Sequence, residues 1–146
     1  MEKIEHYYNL VEQCIKELGV DPGICKGENP GQWNLQKGSA PVWIDVWKSD
    51  NPDTLGGYFQ IVAPIIEIPG SNKEQLFKEL LETNHQLYGV AFTIYETWVY
   101  IKVIRELEGL DGKEALNMFH RIGNYADHYD DFFKGKYADT GRPPAN

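Results

Sequence analysis

Two periodicities take turns along this chain, and their order restricts the fold more than any single residue does. Apolar residues recur first at the spacing of a helix, then every second residue through three runs. A second helical stretch, two more alternating runs and a long final helical stretch follow. Ile4, Tyr8, Val11, Ile15 and Leu18 carry the first stripe, which stops at Gly19. Tyr7, Leu10 and Cys14 widen it, so this helix is expected to touch more than one neighbour, or a partner chain. Asp21 to Gly31 is rich in Gly and Pro and reads as a connecting loop. Trp33 and Leu35 then alternate with Asn34 and Gln36, which predicts a short strand.

The next two runs are stronger. In Pro41 to Lys48, Val42, Ile44 and Val46 point one way, and Trp43, Asp45 and Trp47 the other. Asn51-Pro52-Asp53 and Gly56-Gly57 mark a hairpin loop. Tyr58 to Ile68 is apolar on both pleat faces: Phe59, Ile61, Ala63 and Ile65 on one, Tyr58, Val62, Ile66 and Ile68 on the other. Such a strand is either central and covered twice, or it shows one face to a partner. Pro64 lacks a ladder donor, so a bulge or bend is expected there.

Ser71-Asn72-Lys73-Glu74 has the form of a capping box. It would open a helix carrying Leu76, Phe77, Leu80, Leu81, Asn84 and Leu87 on one side and closing at Gly89. Val90 to Tyr95 and Trp98 to Ile104 form a hairpin about Glu96-Thr97. Asp111, with Glu114 following, caps a last helix whose buried stripe is Ala115, Met118, Ile122, Ala126, Tyr129 and Phe133. The resulting α-β-β-β-α-β-β-α order predicts one α+β domain over residues 1–138. Its mainly antiparallel five-stranded sheet would pack with three helices, and residues 139–146 would form a flexible tail.

At 146 residues, with 42% apolar side chains, the chain is long enough to bury a core without metal or disulfides. Fourteen basic against twenty-two acidic residues leave a charge of −8, and the basic residues are scattered. Phosphate backbones and anionic lipids are disfavoured partners for such a surface, so neither nucleic acid nor membrane is expected. Cys14 and Cys25 show neither CxxC nor Cys-His spacing and read as unpaired thiols. Met1-Glu2-Lys3-Ile4-Glu5 lacks the apolar core of a signal peptide, and no run approaches the roughly eighteen apolar residues of a spanning helix. A cytoplasmic location is the expectation.

The best enzyme-like constellation lies on the last helix, where His120, Asn124, Asp127 and Asp131 recur at helical spacing with His128 and Asp130 nearby. Nitrogen and oxygen donors of this kind can hold a divalent metal that activates water. The same residues face away from Ile122 and Tyr129, where a solvated stripe is expected anyway, and no HExxH is present. His6 and His85 have no carboxylate or cysteine at triad spacing, and neither Ser39 nor Ser71 sits in GxSxG. Gly56-Gly57 is explained by its turn and not by phosphate binding. Asn84, on an apolar helix side, is read as an amide satisfied by backbone, or else as a ligand contact. Asp127 either anchors a loop or faces a partner.

The aromatic residues carry the stronger hint. Trp43 and Trp47 share a pleat face, Trp33 lies on the preceding strand, Trp98 begins the last strand, and Tyr58 and Tyr100 join them depending on register. Rings offer large contact area at small entropic cost. They either close the core beneath the helices or form a dimer or peptide-binding surface.

Phe59-Gln60-Ile61-Val62-Ala63-Pro64-Ile65, then Leu80-Leu81-Glu82-Thr83-Asn84, then Ala91-Phe92-Thr93-Ile94, together resemble the YbjN family. Leu110-Asp111, Ile122, Ala126-Asp127 and Tyr129-Asp130 continue the likeness, which runs from about Trp43 to Phe133. The resemblance implies a fold like that of type III secretion chaperones, which are usually homodimers that hold an extended segment of an effector. It transfers architecture and a binding habit, and no catalytic residues. The reading is therefore a non-catalytic protein-binding domain, chaperone- or adaptor-like, without cofactor. It would act as a homodimer through Trp33, Trp43, Trp47, Tyr58 and Trp98. The alternatives are a metal-dependent hydrolase using the His/Asp face of the last helix, or a small-ligand sensor with a closed apolar pocket.

Overall fold

Helix α1 (Ile4–Glu17) follows the first stripe and buries Tyr7, Val11, Cys14 and Ile15. Gly19, at φ 82°, turns the chain out of the helix so that the Gly19 and Val20 amides donate back to the carbonyls of Lys16 and Ile15. The computed structural model describes residues 3–51 and 56–138. The expected tail at 139–146, and Pro52 and Asp53 of the expected hairpin loop, lie outside the described residues.

The segment after α1 is a correction to the loop expected from Asp21 to Gly31. Asp21 Oδ1 accepts the Gly23 amide at 2.9 Å and Pro22 occupies the first turn, which starts a short helix, α2 (Pro22–Cys25). A single turn leaves no periodicity to read, so this helix adds a fourth to the three expected.

The strands are β1 (Gln32–Lys37), β2 (Ala40–Lys48), β3 (Gly57–Glu67), β4 (Ala91–Tyr95) and β5 (Trp98–Glu106), paired antiparallel in the order β1-β2-β3-β5-β4. The strand that is apolar on both faces is indeed the middle one. At Pro64 its register against β5 slips, because the proline has no amide to donate, and Ile65 and Ile66 are both buried beyond the slip.

Helix α3 (Lys73–Asn84) begins without the expected capping box. Asn72 precedes it at φ 61° with no side-chain capping bond, and Ser71 stands one residue too far out. Leu76 and Leu80 are buried, whereas Leu81 is 69% exposed, because one further residue rotates it about 100° around the helix axis. Helix α4 (Gly112–Tyr137) starts as expected, with Asp111 Oδ1 accepting the Glu114 amide at 2.8 Å.

α4 crosses β1, β2, β3 and β5 on one side of the sheet, α1 lies against β2 and α4, and α3 lies against β4. Between them sits one core that includes Val11 and Ile15, Val42, Ile44 and Val46, Phe59 and Ile61, Val99 and Ile101, and Met118, Ile122 and Phe133. No described helix is long and apolar enough to cross a membrane.

Two polar ties hold the helices on this core. Asp130 is 1% exposed, and its Oδ2 accepts the Ser39 hydroxyl at 2.8 Å while Lys134 pairs with Oδ1. Asn84 meets the edge of β4: its Oδ1 accepts the Phe92 amide at 2.7 Å and its Nδ2 donates to the Phe92 carbonyl at 3.3 Å. The side chain thus stands in for a neighbouring strand at that residue. Replacing Asn84→Ala strands both groups, and a loss of about 1–3 kcal/mol in urea unfolding is expected, with the β4 amides exchanging faster than those of β3.

Candidate functional site

Pleat alternation sorts β2 cleanly. Ala40, Val42, Ile44 and Val46 turn toward the helices, and Trp43, Asp45 and Trp47 turn away. Pairing then assembles the away-facing side. Trp43 stands opposite Val62, Asp45 opposite Gln60, and Trp47 opposite Tyr58 on β3, with Tyr100, Lys102 and Ile104 following on β5. β1 adds Gln32 opposite Asp45 and Asn34 opposite Trp43. Trp43 and Val62 are buried, yet neither belongs to the core beneath the helices.

Ring packing explains how they are buried without a covering layer. Trp43 lies 6.2 Å from Tyr100 and Trp47 lies 5.3 Å from Tyr58, centroid to centroid and both tilted. Trp43 is left 8% exposed and Trp47 37%, so the pair grades from a filled centre to an open margin. A depression of about 390 Å³ opens over Trp43, Asp45, Gln60, Val62 and Tyr100, with Lys102 on its β5 side and Thr93, Ile94 and Tyr95 of β4 beyond.

The five expected binding residues therefore divide. Trp43, Trp47 and Tyr58 share this face, and Tyr100 completes it. Trp33 pairs with Ile44, which puts it on the opposite side, 2% exposed beneath α1. There its Nε1 donates to Glu12 Oε1 at 3.4 Å and the Tyr8 ring meets it edge-on at 5.9 Å. Sequence reading placed it by strand without a register, and the register decides the face. Trp98 falls on the Tyr100 side by alternation but at the far end of β5, opposite Tyr95 and Glu67, and no described ring pair joins it to Trp43.

Asp45 is the residue that sequence reading passed over. Its Oδ2 accepts the Gln60 amide at 3.3 Å, and its Oδ1 is buried with no hydrogen-bond partner among the described residues. Burial pushes its carboxyl above the usual aspartate range, while the amides of Gln60 and Gln32 on either side oppose the rise. The available signal was an acidic residue centred between two tryptophans at alternating positions.

On the His/Asp face of α4, Asn124, Asp127, His128 and Asp131 border one open depression. His120, Asn124 and Asp131 are exposed, His128 lies parallel to the Phe132 ring at 6.4 Å, and Asp127 lies against Gly38. Asp130, expected near the solvated face, is instead on the buried stripe, four residues after Ala126 and three before Phe133. Among the described residues no group of three or more His, Cys, Asp or Glu is placed to hold a metal ion. A second exposed apolar set, Leu81, Tyr88, Ile94 and Tyr95, lies on α3, on β4 and between them.

No protein-family model matches the chain, and no curated protein sequence does. Solved structures do. A chain of the ExsC–ExsE complex superposes with a TM-score of 0.62 at 10% identity, covering 97% of this chain and all (100%) of that one. A chain of the HopA1–SchA chaperone–effector complex gives 0.61 at 10% identity, over 86% and 93%. A chain of the ExoU–SpcU heterodimer, from the type III secretion system of Pseudomonas aeruginosa, gives 0.57 at 11%, over 83% and 95%. The fold is type III secretion chaperone-like. At such identities the likeness carries the backbone plan and no side chain of the open face.

An ionised carboxylate that is half-buried beside neutral amides costs stability. Because its folded pKa lies above the unfolded value near 3.9, the native state holds the proton more tightly, so stability falls as pH rises through that window. Solvent on the open side of the sheet screens part of this cost. Asp45→Asn is expected to unfold at higher urea than wild type at pH 7, by on the order of 1 kcal/mol, with the gain shrinking toward pH 4. A substituted chain less stable than wild type at neutral pH would show that the ionised carboxylate contributes favourably to the fold.

Proposed function

We propose that this domain is a non-catalytic protein-binding module, chaperone- or adaptor-like, that holds a partner segment across its open sheet face as a cytoplasmic homodimer. The observation that carries the reading is the aromatic cover of that face. Trp43, Trp47, Tyr58 and Tyr100 lie over a sheet side that no helix packs against among the described elements. Fixed rings of this kind supply contact area without much loss of side-chain freedom. The chaperone-like backbone plan supports the same role, as does the resemblance of Trp43 to Phe133 to the YbjN family. The exposed apolar residues Leu81 and Tyr88, which do not border the depression, favour a dimer contact on the α3 side of the β4 edge, which would leave the open face free for a partner.

Trp33 is left out of this surface, because its ring is engaged beneath α1. Trp98 is left at its margin. The depression over Trp43 is open to solvent, unlike the closed pocket a small-ligand sensor would need.

Light scattering across a dilution series is expected to return a dimer mass at every concentration, and Leu81→Ser with Tyr88→Ser to shift it toward monomer. In an array of short extended apolar peptides, wild type is expected to bind a subset, and Trp47→Ala to weaken that binding about tenfold or more with circular dichroism unchanged. A monomer throughout removes the dimer, and an array without binders removes the surface.

A further inference from the structure

We propose that the open face reads a specific chemistry in its partner: an arginine side chain, its guanidinium laid over Trp43 and Trp47 and paired with the Asp45 carboxylate. This rests on the reading of that face as the partner-binding surface.

Three observations combine. The first is position. Asp45 stands between Trp43 and Trp47 on the same side of β2, so a group reaching the carboxylate passes between two indoles. Tyr100 and Tyr58 back those indoles at 6.2 and 5.3 Å, which keeps both ring systems in place. Aromatic faces attract cations, and a guanidinium does so while stacking flat.

The second is the missing partner. Asp45 has only neutral amides beside it, Gln60 on Oδ2 at 3.3 Å and Gln32 on its other flank, and no described cation pairs with it. A carboxylate in that state is costly to keep, and an asparagine would fit the same strand position at less cost. Asp130 shows what this chain does with a carboxylate used only for structure: it gives it both a hydroxyl and an ammonium. Asp45 has neither.

The third is charge. With a net charge of −8, the chain attracts basic segments over distance. The cation within reach of the depression, Lys102, borders it on the β5 side and makes no described ion pair with Asp45. It repels an arriving arginine from that side and leaves the Trp47 side, the exposed margin, as the way in. Arginine is favoured over lysine because its planar fork can stack and bridge to a carboxylate at once.

The experiment uses a binder from the peptide array, remade with Arg, Lys or Gln at one central position. Binding to the full chain is followed by the indole N–H resonances. Arg is expected to bind best, Lys more weakly, and Gln about tenfold or more below Arg. The Trp43 and Trp47 resonances should move while that of Trp33, on the opposite sheet face, stays still. Asp45→Asn should erase the Arg-over-Gln preference while keeping the residual affinity of the Gln peptide. Lys102→Gln should tighten Arg binding severalfold, a change of opposite sign that loss of fold cannot produce. Equal binding of Arg and Gln peptides, or a preference that survives Asp45→Asn, overturns the arginine inference and leaves the binding face standing. Trp43 and Trp47 resonances unmoved by every peptide would overturn both.

Discussion

Uneven cover of a single sheet is the constraint on which the rest of this structure depends. β3 is apolar on both sides, and the helices hide only one of them. Burying the Phe59, Ile61 and Ala63 side against α4 supplies the main apolar driving force for the fold. The other side must then be covered by its own residues or by another molecule. Two aromatic pairs do part of that work, bringing Trp43 and Val62 to low exposure with no second layer. What they leave open is the shallow ground around Asp45, and the Trp47 ring at its partly exposed margin.

The long final helix makes the covered side rigid, and it does so through the turn between β1 and β2. Gly38, at φ 58°, brings the backbone against Asp127, where even a methyl group would meet the carboxylate at 2.2 Å. One residue on, Ser39 bonds the buried Asp130. This contact joins residues far apart in sequence and holds α4 on the β1–β2 hairpin. The acidic residues of α4 that resembled metal ligands are thereby drawn to the hairpin: Asp127 lies against Gly38, and Asp130 and Asp131 both accept from the Ser39 hydroxyl.

The two aspartates at low-dielectric positions make an instructive contrast. Asp130 is compensated by a hydroxyl and an ammonium, which is how a carboxylate serves structure. Asp45 has neutral amides and no described cation, and sits among rings on an open face. An aspartate held among rings and neutral amides on an open face is placed where an arriving cation would complete its pairing.

Much of the architecture was legible from the chain alone, because periodicity reports which side of each element is apolar. The helical stripe of α1 and its stop at Gly19, the five strands, the bulge at Pro64 and the Asp111 cap are local events, set by side-chain spacing, a missing amide or a nearby carboxylate. The α2 turn escaped notice because four residues cannot display a period, and the capping box failed because its motif lay one residue out of phase with the helix. The chaperone-like plan expected from the resemblance is the one the backbone adopts, while no family model matches the chain. Strand order and register, by contrast, are decided only when distant segments meet. They sent Trp33 beneath α1 and left Trp43 and Trp47 outside, and they placed Asp45 opposite Gln60 with one oxygen unmet. Neighbours along one strand are parted or joined by partners that lie far away in the chain. The sequence by itself therefore determined the elements and their apolar sides, and the tertiary structure alone decided which aromatic and acidic side chains share a face.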